Sequence, residues 1–329
     1  MAFIRKIFAG LVLAGVACST GAQAQTNPAN SAYPARAVRL VVPFVAGGAI
    51  DVTARRLADY LSTKTNQQFI VENTVGASGV VGARRVARAE PDGYTLLFGT
   101  TSVYAINPAI NANVGYDPLK DYELVARAFD SALMLVSHPS VPVKTVAELV
   151  AWGKANPGKL NYGSSGIGTP QHVLGEMFKL STGMPMTHVP YKGGAQSVQD
   201  VTGGHIQVLF ENPLSLIPLV DDKKLTGLAV TGDARLDQAP QVPTLKEAGA
   251  DITVAIITGV AAPAGTPRDI VIRLNSLIND GLRDKELLES VAKFGAIAKP
   301  GTPAEFHAFI ASEVKRWGEV ARAANIKAE

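Results

Sequence analysis

The sequence predicts an α/β protein of two lobes, each a mainly parallel sheet flanked by helices, with two segments crossing between them. Three observations carry this. Strand-like and helix-like runs alternate along the chain. Two strand-to-helix glycine turns of the same type, "VVPFVAGGAID" and "HVPYKGG", stand in different halves of it. No low-complexity linker and no internal repeat of 20–50 residues interrupts the 329 residues, a length that suits two domains.

The chain opens with "MAFIRKIFAGLVLAGVACSTGAQAQ". A short basic start, an apolar stretch from Ile7 to Ala17 and the small-residue end Ala22-Gln23-Ala24 predict a secretory signal peptide over residues 1–24, cut before Gln25. The alternative, a buried N-terminal helix, is the weaker reading. The apolar part is too short for a lasting span, which needs ~20 residues. Cys18 is the sole cysteine, so the mature chain is expected to hold no thiol and no disulfide. Gly15-Val16-Ala17 before it lacks the aliphatic residue that lipid attachment favours, so a lipoprotein is not expected. The formal charge is +3; Arg5 and Lys6 lie in the leader, which leaves 29 basic against 28 acidic residues. Near neutrality argues against a nucleic-acid groove or an anionic-membrane patch. The product reads as a soluble exported protein, which in a bacterium means the periplasm.

In the first series "VRLVVPF" is a strand, and "DVTARRLADYLSTKT" is a helix with Ala54, Leu57, Ala58 and Leu61 on one face. "QFIVENT" is the next strand. "GASGVVG" reads as a loop and helix entry, because Ser78 stands where a dinucleotide fingerprint needs glycine. "YTLLFGT" completes a βαβαβ pattern, whose crossovers are right-handed. A second series follows "LKDYELVARAF". It runs strand "ALMLVSHP", helix "VKTVAELVAWGKANPGK", strand "LNYGSS", helix "PQHVLGEMFKLSTG", strand "MTHVPY", helix "AQSVQDVTGG", and strands "IQVLF" and "TGLAVTG". "PTLKEAG" reads as a short capped helix. Two helices, "RDIVIRLNSLINDGLRD" and "PAEFHAFIASEVKRWGEVARAA", close the chain and are expected on the first lobe. The crossings are expected near Leu124–Asp130 and Ile252–Gly259. The lobes are then 25–125 with 256–329, and 126–255. Ligands of open α/β sheets sit at the carboxyl ends of strands, so the cleft between lobes is the expected site.

The first turn presents backbone N–H groups at a helix start, where they lack intrahelical partners and the dipole is positive; an anion suits it. It lacks the Gly-Lys-Ser/Thr ending of a nucleotide loop. Taken alone, its glycines could simply permit a tight turn, and Asp51 reads most simply as a first-turn acid. The second turn repeats the arrangement with Tyr191, Lys192, Gly193 and Gly194; Lys192 reads more readily as a solvated surface residue than as a ligand. If the two helix starts face each other, they suit a dianion or a carboxylate held by backbone amides. In "NYGSSGIGTPQHVLGE", Ser164, Ser165 and Thr169 supply hydroxyls and Gly166 allows close approach, while Ile167 breaks a nucleophile elbow. His172 favours packing or capping and has no acid partner in sequence. The five histidines form no His-Glu-x-x-His pattern and the acids form no cage, so no metal and no cofactor are expected.

Together these residues resemble the Bug family, the periplasmic receptors of tripartite tricarboxylate transporters. The resemblance runs in order through "YPARAVRLVVPFVAGGAIDVTARRLADYL", "VENTVGASGVVGARRVARAEPDGYTLLFGTTSVYAINPAI", "YDPLKDYELVARAF", "LNYGSSGIGTPQHVLGEMFK", "HVPYKGGAQSVQDVTGGHIQVLFEN" and "GVAAPAGTPRDIVIRLN", nearly the whole mature chain. It implies a type II-like, Venus-flytrap periplasmic binding protein that closes on its solute. It also implies that two loops pin a carboxylate through backbone amides. Here these are Phe44, Val45, Ala46, Gly47, Gly48, Ala49, Ile50 and Asp51 in one lobe, and Tyr191 to Gly194 in the other. Thr100, Thr101, Ser102 and Asn107 match the next cleft loop; Ser164, Ser165, Gly166, Thr169, His172, Glu211 and Asn212 face them. The family often has proline where Val45 stands, a polar residue where Ile50 stands and aspartate where Glu211 stands, so an apolar part of the solute near Ile50 is expected.

The expected function is capture of a small carboxylated solute by a monomeric, non-enzymatic receptor, which passes it to membrane components of a tripartite tricarboxylate-type transporter. Two rivals remain at this stage: a receptor signalling through a sensor kinase, and a periplasmic enzyme on a carboxylated substrate. The enzyme would need an acid–base or nucleophile constellation, and the sequence displays none.

Overall fold

A computed structural model describes residues 33–326, so the signal peptide, its cleavage point and Cys18 lie outside the described residues. In chain order the elements are β1 (Val38–Val42), α1 (Ala49–Thr65), β2 (Phe69–Asn73), a 3₁₀ turn (Ala77–Gly79), α2 (Val80–Ala87), β3 (Thr95–Thr100), a π-helical turn (Ser102–Ile106), α3 (Asn107–Ile110) and β4 (Tyr122–Ser131). Next come β5 (Met134–Ser137), α4 (Val146–Ala155), β6 (Asn161–Ser164), α5 (Pro170–Thr182), β7 (Thr187–Pro190), α6 (Gly194–Thr202), β8 (Val208–Glu211), α7 (Pro213–Asp221) and β9 (Thr226–Val230). The chain closes with β10 (Ile256–Pro263), α8 (Arg268–Gly281), α9 (Lys285–Ala292), β11 (Ala296–Ala298) and α10 (Pro303–Ala323). Among the described residues no helix is long and apolar enough to cross a membrane.

Two sheets form, in the orders β11-β4-β10-β3-β1-β2 and β7-β6-β8-β5-β9. The two-lobed α/β class holds, but the sheets are mixed rather than mainly parallel. β1 pairs in parallel with β2 and β3, and β6 with β7 and β8. β10 runs antiparallel to β3 and β4, and β5 antiparallel to β8 and β9. The cause is the double crossing: a strand returning from the other lobe enters its sheet from the opposite end. β1 lies between two neighbours and is buried except at Arg39, near its start, which explains the apolar run from Leu40 to Val42. The apolar face of α1 is as the spacing predicts, with Ala54, Leu57, Ala58 and Leu61 buried, and Asn66 ends the helix in the left-handed region at φ 53°.

Four local readings are corrected. "PLSLIPLVD" is a helix, α7, despite Pro218; Pro213 at its first position and the Asn212 side chain, which accepts from Leu214 N–H at 2.9 Å, start it. α9 and β11 lie where only two closing helices were expected, and β11 adds an edge to β4. "PTLKEAG" makes one turn only. Its capping bonds form, Thr244 N–H to Glu247 Oε2 at 2.8 Å and Glu247 N–H to Thr244 Oγ1 at 3.1 Å. Left-handed Gly249 (φ 87°) stops propagation, and Ala250 N–H closes the turn on Leu245 O. "TTSVYAIN", expected as a loop, is a buried π-helical turn leading into α3.

The closing helices also divide their contacts. α8 and α9 pack on the first sheet and α1, whereas α10 packs on β4 and the π-helical turn and also reaches α5 of the second sheet. Trp317, Ala321 and Ile326 share one apolar core with Leu149, Leu174 and Phe178. The sequence pattern of α10 shows an apolar face but not that two partners share it.

Both crossings meet at Thr231, which is wholly buried. Its Oγ1 accepts from Leu133 N–H at 2.9 Å and donates to Val254 O at 2.8 Å. Its own N–H and C=O bond Leu133 O and Val254 N–H. Leu133 follows β4 and Val254 precedes β10, so one hydroxyl ties the outward and return strands. Thr231→Val should cost about 1–3 kcal/mol in chemical denaturation, because it leaves the Leu133 N–H buried and unpaired. Thr231→Ser should recover most of the loss; equal costs for both variants would assign the effect to packing.

Candidate functional site

At the end of β1 the chain turns through Phe44 to Gly48 into α1. Gly47 has φ +80°, a conformation that favours glycine. Asp51 lies beneath, almost fully buried, and both its oxygens are engaged. Oδ2 accepts from Gly47 N–H at 2.8 Å and from Arg55 Nε at 3.0 Å; Oδ1 accepts from Asn73 Nδ2 at 2.8 Å. Asn73 Nδ2 also donates to Phe44 O at 3.0 Å. Burial pushes the Asp51 carboxyl up, but these donors outweigh it and hold it below the usual aspartate range. Asp51 therefore braces the turn from within. Gly48, the N-cap, brings no side chain, and the N–H groups of Gly48, Ala49 and Ile50 meet no acceptor among the described residues. Val45 is 60% exposed and Ile50 half-buried.

The second turn starts α6 and is uncapped as well. Lys192 is exposed, and its N–H bonds Gln196 Oε1 at 3.2 Å. Tyr191 OH donates to Asp200 Oδ2 at 2.6 Å. Gly194 is required by close approach: a Cβ there would sit 2.6 Å from Glu211 Oε2. The second turn thus has a carboxyl of its own protein packed against it. Glu211 is ringed by neutral donors, Asn212 N–H at 2.8 Å, Gln171 Nε2 at 3.2 and 3.3 Å and Ser165 Oγ at 3.4 Å. Burial pushes its pKa up, and the three donors only partly offset this.

The loop after β6 uses most of its polar groups on itself. Ser164 Oγ, wholly buried, lies 2.6 Å from His188 Nε2 and accepts from Gly166 N–H at 3.1 Å. Thr169 Oγ1 donates to Gly166 O at 2.7 Å. His172 Nδ1 accepts from Gly168 N–H at 3.3 Å, and its ring stacks on His188 at 4.0 Å between centroids. Burial, then the neighbouring His172, pushes His188 down to about 3, so the stack is neutral. His172 is a packing residue here, as its sequence context favours. His188, 24 positions from Ser164, carries no local signal of this role.

Of the loop after β3, Thr101 Oγ1 accepts from Ile257 N–H at 2.9 Å, while the hydroxyls of Thr100 and Ser102 are buried with no partner among the described residues. Asn107 Nδ2 donates to Ser78 O at 3.0 Å, and Ser78 Oγ donates across to Ile167 O at 2.8 Å. Ser78 adopts φ 52°, unusual for a non-glycine residue. "GASGVVG" is thus a loop and helix entry as predicted, and also a contact between lobes that the sequence did not announce. At a second meeting point Asn212 Nδ2 donates to Phe294 O at 3.4 Å. No group of residues suited to a metal occurs among the described residues.

Residues 53–326 match the family described as the tripartite tricarboxylate transporter family receptor. Protein BugT of Bordetella pertussis is 34% identical over 96% of this chain and 98% of its own. A structure described as a periplasmic transporter is 37% identical, covers 90% of this chain and 99% of its own, and superposes with TM-score 0.82. A Rhodopseudomonas palustris protein solved with adipate is 35% identical over 90% and 99%, with TM-score 0.83. MatC of Rhodopseudomonas palustris, solved with bound malate, is 27% identical over 88% and 99%, with TM-score 0.79.

Glu211 yields a signed prediction. Folded Glu211 keeps its proton to higher pH than an unfolded glutamate, so stability falls as pH rises from the ordinary glutamate range through the raised value. The melting temperature of Glu211→Gln, minus that of the wild type, should grow from roughly pH 5 to pH 8. A gap that shrinks over this range would mean that the α6 start stabilises an ionised Glu211.

Proposed function

The chain belongs to the tripartite tricarboxylate transporter receptor family, and from that premise we propose that it captures a small carboxylated solute in the cleft between its lobes. It is exported to the periplasm by its leader, is cut before Gln25 and acts as a monomer. The expected boundary after residue 125 falls inside β4, which pairs with β10 as far as Ser131, so the lobes part between β4 and β5 and between β9 and β10; the closed form hands the solute to the membrane components of a tripartite tricarboxylate-type transporter.

The observation that carries this reading is the uncapped start of α1. Ala49 and Ile50 present N–H groups without acceptors beside Gly48, while Asp51 holds the turn in shape from the far side. A solute carboxylate supplies the missing acceptor, favoured by the positive end of the helix dipole. Each hydrogen bond to a charged group adds about 1.5–3 kcal/mol. The α6 start, with Gly193 and Gly194, is uncapped as well and completes the polar lining. The adipate and malate seen in two relatives are of the same chemical class. Closure is hinge motion through the segments that Thr231 joins.

Titration calorimetry against a carboxylate panel tests the reading, with binding of at least one dicarboxylate expected. Binding of non-carboxylate solutes alone would overturn it. Variants locate the anion. Gly48 has φ −74°, which proline adopts, so Gly48→Pro removes one N–H while keeping that angle. It should weaken binding about tenfold or more, whereas Gly48→Ala and Lys192→Ala should each cost less than about threefold. The reverse order would assign the anion to the lysine.

A further inference from the structure

The geometry points to a subsite for a small apolar branch of the solute, in a notch that starts at Ile50 and is walled by Phe129 and Phe294. The class it selects is a branched carboxylate bearing a methyl-sized group near the carboxylate carbon. This rests on the proposal that the start of α1 holds the carboxylate, since the notch begins at the same residues, Ala49 and Ile50.

Three features set its chemistry. Its walls are mostly carbon: Ile50 on one side, buried Phe129 and half-buried Phe294 on the other. Its three hydroxyls donate to backbone carbonyls, Thr53 to Ala49 O at 2.7 Å, Thr258 to Phe129 O at 3.3 Å and Ser131 to Ile256 O at 3.4 Å. A second carboxylate placed here would find no hydroxyl hydrogen and would lose its water. Its volume is about 20 Å³, room for one small group. Asn212 closes the notch from the other sheet, with its amide on Phe294 O and its oxygen on Leu214 N–H. The notch is therefore complete only when the lobes are together, which makes the branch a contact of the closed form.

The test is calorimetry with succinate, malate and methylsuccinate, which differ at one position by hydrogen, hydroxyl and methyl, and with adipate and 3-methyladipate as a longer pair. On whichever backbone binds, one enantiomer of the methyl compound should bind about fourfold more tightly than the unbranched parent, the worth of one buried methyl group. Malate should gain nothing over succinate. Phe294→Ala should bring the methyl-to-parent affinity ratio towards one; the ratio is the readout, so a general loss of affinity does not imitate the result. Equal affinity for branched and parent compounds, a preference for the hydroxyl, or a ratio unchanged in Phe294→Ala would overturn the subsite while leaving carboxylate capture intact. If none of the five compounds nor any other carboxylate binds, the proposal on α1 fails and the subsite fails with it.

Discussion

Asp51 keeps a negative charge at an almost closed helix start, and the local geometry of the first lobe is arranged around that fact. A carboxylate in such a place must be matched by donors. Here they come from the turn before it, from one helical turn after it and from the end of β2. Because Asp51 bonds Gly47 from inside, the turn needs no side-chain cap at Gly48, and the next amides remain directed outward. A cap of serine or aspartate at Gly48 would satisfy those amides itself and leave nothing for a guest. The second lobe solves the same problem differently. Glu211 lies against the start of α6 with neutral neighbours only, so its side of the cleft is better suited to hydrogen bonding than to holding a second full charge.

The lobes are joined more firmly than two crossing strands alone would suggest. Thr231 gathers both strands into one hydrogen-bonded node, and α10 lies over the junction with one face shared between two cores. Ser78 on Ile167 and Asn212 on Phe294 add two side-chain contacts between the lobes away from the node.

Much of the architecture was legible in the sequence because it is written in local periodicity. The apolar spacing of Ala54, Leu57, Ala58 and Leu61 and the apolar run Leu40-Val41-Val42 name their elements without help from the rest of the chain. The two glycine turns were legible for the same reason. What escaped depends on partners distant in sequence. α7 was hidden by Pro218, although Asn212 and Pro213 are adequate start signals. "PTLKEAG" has the residues of a capped helix, yet its left-handed Gly249 ends it after one turn. The engagement of Asp51 with Asn73, of Ser164 with His188 and of Ser78 with Ile167 joins positions 22, 24 and 89 apart, and no spacing rule reaches that far. The result is a class of site readable from sequence, and a division of labour among its polar side chains that is not.

Trp317 gives the molecule a built-in optical gauge. The chain has two tryptophans. Trp152 is half-buried on α4 at the edge of the same core in which Trp317, on α10, is wholly buried. Its indole N–H donates to Glu313, whose other partner, Arg316, also reaches Thr253 O on the return crossing. The indole is thus joined through two side chains to the return crossing, so a label-free fluorescence probe already sits in the core that both lobes share.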